Sequence, residues 1–151
     1  MVSKAIRFFS WGIYSHAAIC LPDEGYIIYE SWDGVGVRQC KSISDGHKKG
    51  TRVDFFSLGV TEDQYIKIVD ALRSQLGKKY DYWGVIRFIP FFRAFMGKPS
   101  KRTQPAWFCS IYACWALAKG DVYLLNKDAY KISPSDMATS TVIKFFCAKY
   151  T

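Results

Sequence analysis

Thiols and imidazoles are the side chains in this sequence best suited to covalent chemistry, and they are few: cysteines at 20, 40, 109, 114 and 147, and histidines at 16 and 47. A thiol attacks carbonyl carbon as its thiolate, which is a minor species for a free cysteine of pKa about 8.5 at neutral pH. A helix N-terminus and a nearby imidazole both favour the thiolate. Cys109, in Trp107-Phe108-Cys109-Ser110, stands where a helix is expected to begin. The unpaired N–H groups of a first helical turn can also hold an oxyanion. Cys114 lies deeper in the same helix and should point elsewhere, while Cys20, Cys40 and Cys147 sit in apolar or strand-like surroundings that suit the core. No Cys-x-x-Cys pair occurs, so no zinc site is expected.

A base for Cys109 must come from one of the two histidines. His47 lies in the polar stretch Asp45-Gly46-His47-Lys48-Lys49 and reads as solvent-exposed, whereas His16 opens the apolar run Ala17-Ala18-Ile19-Cys20 and is the better placed. A thiol–imidazole pair works best when a third group orients the ring. Were the strand around Tyr26 to Trp32 to pair with that around Ser15 to Leu21, Glu30 would come near His16; on strand alternation alone it could equally face solvent. Asp33 is the alternative carboxylate.

The elements that must position these groups are legible as short strands followed by helices. Ser15 to Leu21, Tyr26 to Trp32, Gly34 to Gln39 and Arg52 to Leu58 read as an antiparallel meander, with Pro22-Asp23-Glu24-Gly25 and Asp33-Gly34 as turns. Thr61 and Gln64 form a capping box ahead of a helix whose apolar face is expected at Ile66, Val69, Leu72 and Leu76, with Gly77 as its stop. A second helix is expected over 109–119, ended by Gly120, and a short third from Ser133-Pro134; Val142 to Ala148 reads as a final strand. This order predicts an α+β domain, one unit over residues 1–151.

Four segments, taken in order, resemble the circularly permuted NlpC-like (YiiX-like) cysteine peptidases of the papain-like fold. Ser15-His16-Ala17-Ala18-Ile19 is similar to the family's histidine strand, Tyr29-Glu30 to the strand bearing the acidic residue, Leu76-Gly77-Lys78-Lys79-Tyr80-Asp81-Tyr82 to its glycine–tyrosine motif, and Phe108-Cys109-Ser110 to its nucleophile motif. Ser133-Pro134-Ser135-Asp136-Met137-Ala138 resembles a late proline–aspartate segment. The resemblance implies a papain-like fold with an antiparallel sheet packed against helices, and catalytic Cys109, His16 and Glu30. It further implies a role for Tyr80 at the oxyanion or substrate carbonyl. Trp83-Gly84 is followed by Val85 where the family often has a second glycine, a departure at the substrate entrance.

The function so implied is that of a thiol protease or amidase: a hydrolase that cleaves an amide bond of a peptide or cell-wall peptide through an acyl-enzyme on Cys109, with His16 as general base and no cofactor. Two alternatives stand beside it. One is a lipid acyltransferase or esterase using the same pair, for which Trp83 to Phe95, with Phe88, Phe91 and Phe92 between Arg87 and Arg93, could be a lip meeting an anionic membrane. The other is a non-catalytic binding module.

Composition fits a folded basic protein: half the residues are hydrophobic, 17% are aromatic, and the formal net charge is +8. The basic groups Lys41, Lys48, Lys49, Arg52 and Lys98, Lys101, Arg102 lack aromatics spaced for base stacking; they read as solvated faces, and no nucleic-acid partner is expected. The odd cysteine count, with no secretory leader and no run able to span a bilayer, points to a reducing, cytoplasmic setting.

Overall fold

The computed structural model describes residue 6, residues 12–82 and residues 106–151, which form a mixed α+β arrangement of antiparallel sheets and three α-helices. β1 (Ala18–Leu21), β2 (Ile27–Trp32) and β3 (Gly36–Cys40) make a three-stranded antiparallel sheet in the order β1-β2-β3. The β1–β2 connection is a 3₁₀ turn over Pro22–Glu24, closed by Gly25 at φ 75°. The next is a hairpin in which the Val35 N–H donates to the Trp32 carbonyl at 3.1 Å, with Gly34 at φ 79°. Its register sets Ala18 opposite Glu30 and Glu30 opposite Arg38.

β4 (Arg52–Leu58) has the expected limits but leaves the meander. It pairs with the last strand, β7 (Ile143–Tyr150), in a separate two-stranded ribbon with a bulge between Phe55 and Phe56. The long 41–51 connection carries β4 away from β3, a return that a nearest-neighbour reading of the strands misses.

Helix α1 (Glu62–Ser74) starts at Thr61, whose hydroxyl accepts from the Gln64 N–H while the Gln64 side chain accepts from the Thr61 N–H. Its buried face is Ile68, Val69, Ala71 and Leu72; Ile66 and Leu76, expected inside, are exposed. α2 (Cys109–Lys119) is buried on almost every side, because it packs against α1 and against β1 and β2 at once. Tyr112 donates from its hydroxyl to the Leu72 carbonyl at 2.8 Å, tying the two helices. α3 (Pro134–Ala138) has Ser133 as cap and Pro134 in its first turn. No helix among the described residues is long and apolar enough to cross a membrane.

The approach to α2 determines where its first residue lies. β5 (Lys79–Tyr80) pairs in parallel with β6 (Ala106–Trp107). Just before β5, the Val37 N–H donates to the Lys78 carbonyl at 2.7 Å and the Gly77 N–H to the Val37 carbonyl at 2.9 Å, so this strand pair lies along β3. Gly36 allows that contact: its φ is 96°, and a Cβ there would stand 2.1 Å from the Lys78 carbonyl oxygen. On β2 the Ser31 hydroxyl donates to the Trp107 carbonyl at 2.6 Å, two residues before Cys109.

Candidate active site

Strand periodicity explains why the charged groups of the site meet. Glu30 on β2 and Arg38 on β3 are direct cross-strand partners, and Cys40 follows Arg38 by two, so all three share one face of the sheet. His16 precedes Ala18 by two, just outside β1 rather than within it, and lies beside this face. Its Nε2 is 2.7 Å from Glu30 Oε2. The other oxygen of the same carboxylate, Oε1, accepts from Arg38, at 2.8 Å from Nε and 2.6 Å from Nη2, and the Cys40 thiol lies 3.7 Å from it. Glu30 has only 3% of its side chain exposed.

Cys109 is the first residue of α2, and it has no solvent exposure. No side chain caps the helix at Phe108. The first-turn N–H groups therefore surround the sulfur's position with positive potential. The Glu30 carboxylate accepts from His16, and the Cys109 sulfur is near enough to the ring to raise its pKa. With Nε2 on Glu30, Nδ1 is the nitrogen left for the sulfur. The structure thus brings together the three residues named from the sequence: a thiol at a helix start, an imidazole, and a buried carboxylate behind it.

Protonation follows from the surroundings. Burial disfavours a charged His16, but the hydrogen bonds to Cys109 and Glu30 and the negative charge they can carry outweigh it, raising the His16 pKa from 6.5 to about 9. At neutral pH the ring therefore holds its proton. Burial pushes Glu30 up, yet the His16 and Arg38 contacts prevail and hold its carboxyl below the ordinary value. Burial raises the Cys40 thiol to about 11, helped by the Glu30 charge, which keeps this neighbouring sulfur protonated.

Tyr80, on β5, is buried and stacks edge-on against Phe108 at a centroid distance of 6.2 Å, with Tyr82 on its other side at 5.0 Å. Its hydroxyl is pushed well above the usual tyrosine value, first by burial and then by charge at Cys109. Tyr80 is therefore a neutral neighbour of the thiol. The glycine–tyrosine segment and the nucleophile segment meet here through the β5–β6 pair.

Three site residues were missed or misplaced by sequence reasoning. Arg38 is one. Trp32 is the second: its ring meets His16 edge-on at 5.0 Å, and the Arg38 guanidinium lies 4.7 Å from its centre. His47 is the third, and here the solvent-exposed expectation is corrected: the ring is half-buried, 4.8 Å from Trp32 and 6.1 Å from His16. The loop folds inward because the Arg38 guanidinium donates to the Asp45 carbonyl at 2.8 Å and Gly46 lies flat on Trp32. Burial, then the positive charge of His16, pushes His47 below its ordinary pKa. Cys40, expected in the core, is half-buried at the back of the site, while Cys114 is buried within α2.

Among the described residues no cluster of histidine, cysteine and carboxylate side chains could hold a metal ion. The aromatic segment Trp83 to Phe95 and the basic group Lys98, Lys101, Arg102 lie outside the described residues. No protein-family model matches the chain, and no curated protein matches it.

Proposed function

We propose that the protein is a cysteine hydrolase of the papain-like, circularly permuted NlpC-like type, cleaving an amide bond in a peptide or cell-wall peptide. The observation that carries the reading is the order of groups from Cys109, at an uncapped helix start, to His16, whose pKa the sulfur raises, and on to the buried carboxylate 2.7 Å behind the ring. A structural cysteine has no need of such an order.

In the proposed reaction the Cys109 sulfur attacks the carbonyl carbon, forming a C–S bond and placing negative charge on the carbonyl oxygen. In this reading the N–H groups at the start of α2 hold that oxygen, with Tyr80, packed on Phe108, beside them. His16 holds a proton at neutral pH, so it passes this proton to the leaving amine as the C–N bond breaks. The neutral ring then takes a proton from water, whose oxygen attacks the thioester. Collapse breaks the C–S bond, releases a carboxylic acid and leaves Cys109 as a thiolate beside the protonated ring, the pair that began the cycle. Glu30 keeps the ring oriented throughout.

The test is Cys109→Ala, together with wild type, incubated with a mixed panel of peptides, cell-wall fragments and phospholipids and read by mass spectrometry. The expected result is hydrolysis by wild type, an acyl adduct trapped on Cys109, and no turnover by a variant that melts like wild type. Turnover retained by Cys109→Ala would end the proposal. An adduct carrying a fatty acyl chain would transfer the same chemistry to lipid esters.

A further inference from the structure

Arg38 belongs to the candidate site through Glu30, its ion-pair partner. Its guanidinium is committed three ways: to Glu30 Oε1 through Nε and Nη2, to the Asp45 carbonyl, and to the face of Trp32. The side chain is largely buried, with 23% exposed. This is more ordering than an exposed ion pair receives, and a charge held so firmly at 3% exposure on its partner acts at low effective dielectric.

The proton bookkeeping of the cycle shows what such a charge would do. While His16 is an imidazolium, Glu30 has two cationic partners. Once the proton passes to a leaving group, His16 is neutral and Glu30 would be a buried carboxylate facing a neutral ring. An unpaired buried carboxylate is costly and would draw a proton back. Arg38 is the cation that remains on Glu30 at that point.

We infer that Arg38 is a positioning residue acting through Glu30: it stabilises the half of the cycle in which His16 is neutral, and so lets the proton leave the imidazole. This rests on the proposed hydrolase reading and adds a role for which that reading has no need. Without the guanidinium the Glu30 carboxylate would pull harder on the ring proton, and His16 would release it at higher pH. The other titratable groups facing this carboxylate are Cys40, pushed up to about 11, and His47, pushed below its ordinary value. Asp45 joins the cluster from the loop through its carbonyl and its charge, and Cys109 joins through His16.

The experiment follows alkylation of Cys109 by iodoacetamide against pH, quantified on its peptide by mass spectrometry. It is paired with an NMR titration of ¹³C-labelled imidazoles, assigned with His47→Gln. Arg38→Gln keeps hydrogen-bond donors but removes the charge; Arg38→Lys keeps the charge without the fork. In wild type the upper inflection and the His16 titration are expected together near pH 9. Arg38→Gln should move both upward by about one unit, and Arg38→Lys should return them most of the way. On any cleaved substrate Arg38→Gln should lower kcat with KM unchanged.

A fall in melting temperature in Arg38→Gln with both titrations unmoved would reduce Arg38 to a structural residue and overturn the inference. Should Arg38→Gln not fold, Arg38→Lys carries the test: a His16 titration displaced as far as one unit in a folded protein would show that charge alone is insufficient, against the proposal. Wild-type Cys109 no more reactive than Cys40 would instead sink the hydrolase reading, whereas a reactive Cys109 with titrations indifferent to Arg38 sinks only this one.

Discussion

Glu30 has a carboxylate with two jobs, one for each oxygen, and almost no water to share them with. Replacing it by Gln keeps size and shape but removes the charge that holds the His16 proton. Under the proposed reaction the upper limb of the pH–rate profile, expected near 9 in wild type, should move down toward the ordinary histidine range, and the same limb in Arg38→Gln should move the other way. Opposite displacements from two neighbours on one carboxylate, followed on one substrate, check the electrostatic account. The sequence shows Cys109, His16 and Glu30 because each residue type is chemically conspicuous where it stands. Arg38 was hidden by one residue of register. A two-residue Asp33-Gly34 turn would set Glu30 opposite Val37; the loop instead takes in Val35 as well, pairs Trp32 with Gly36, and brings Arg38 opposite Glu30. His47 was hidden for another reason: a polar loop reads as solvated until a tryptophan and an arginine pull it in.

Among the elements, helix limits were the most readable, since caps act locally. Thr61 with Gln64, Ser133 with Pro134, and Gly120 behind Lys119 all mark ends that the structure keeps. Thr61→Ala should cost about 1 kcal/mol in chemical denaturation and leave Cys109 reactivity alone, because the start of α1 lies against Gly120, at the end of α2 remote from Cys109. The inner face of α1 was harder: Ile66 and Leu76 follow the helical spacing but point outward, while Ile68 and Ala71 are the residues α2 and its neighbours cover. Periodicity finds a stripe, and the packing partner decides which side of it is inside. Gly36 tests how the elements hold the site. Gly36→Ala forces a Cβ onto the Lys78 carbonyl at an unfavourable φ, which should cost upwards of about 2 kcal/mol. By parting β3 from the segment that leads into β5, it should also slow Cys109 alkylation, read beside the melting temperature.

For the molecule as a whole, strands followed by helices predicted an α+β arrangement, and the described residues have it. What local signals could not supply was the long-range pairing of β4 with β7, since a strand's sequence records its exposure but not its partner. Stability should carry the mark of the site. His16 has a folded-state pKa raised from 6.5 to about 9, so its contribution is fully present below about 6.5 and disappears as pH rises through about 9. Glu30, held below its ordinary value, contributes above the usual carboxylate range and loses that contribution as pH falls. The melting temperature should accordingly decline between pH 7 and 10 in wild type, and the decline should flatten in His16→Gln, as differential scanning calorimetry would show.

The enclosure of Cys109 has a consequence for how long the protein can remain active. A sulfur with none of its surface in water meets peroxide, as it meets iodoacetamide, only when the fold opens locally, because the first rung of thiol oxidation needs direct collision. Oxidation by hydrogen peroxide should therefore be slow in the native protein and quicken in mild denaturant that promotes such opening, with sulfenic acid on Cys109 as the lesion that mass spectrometry recovers.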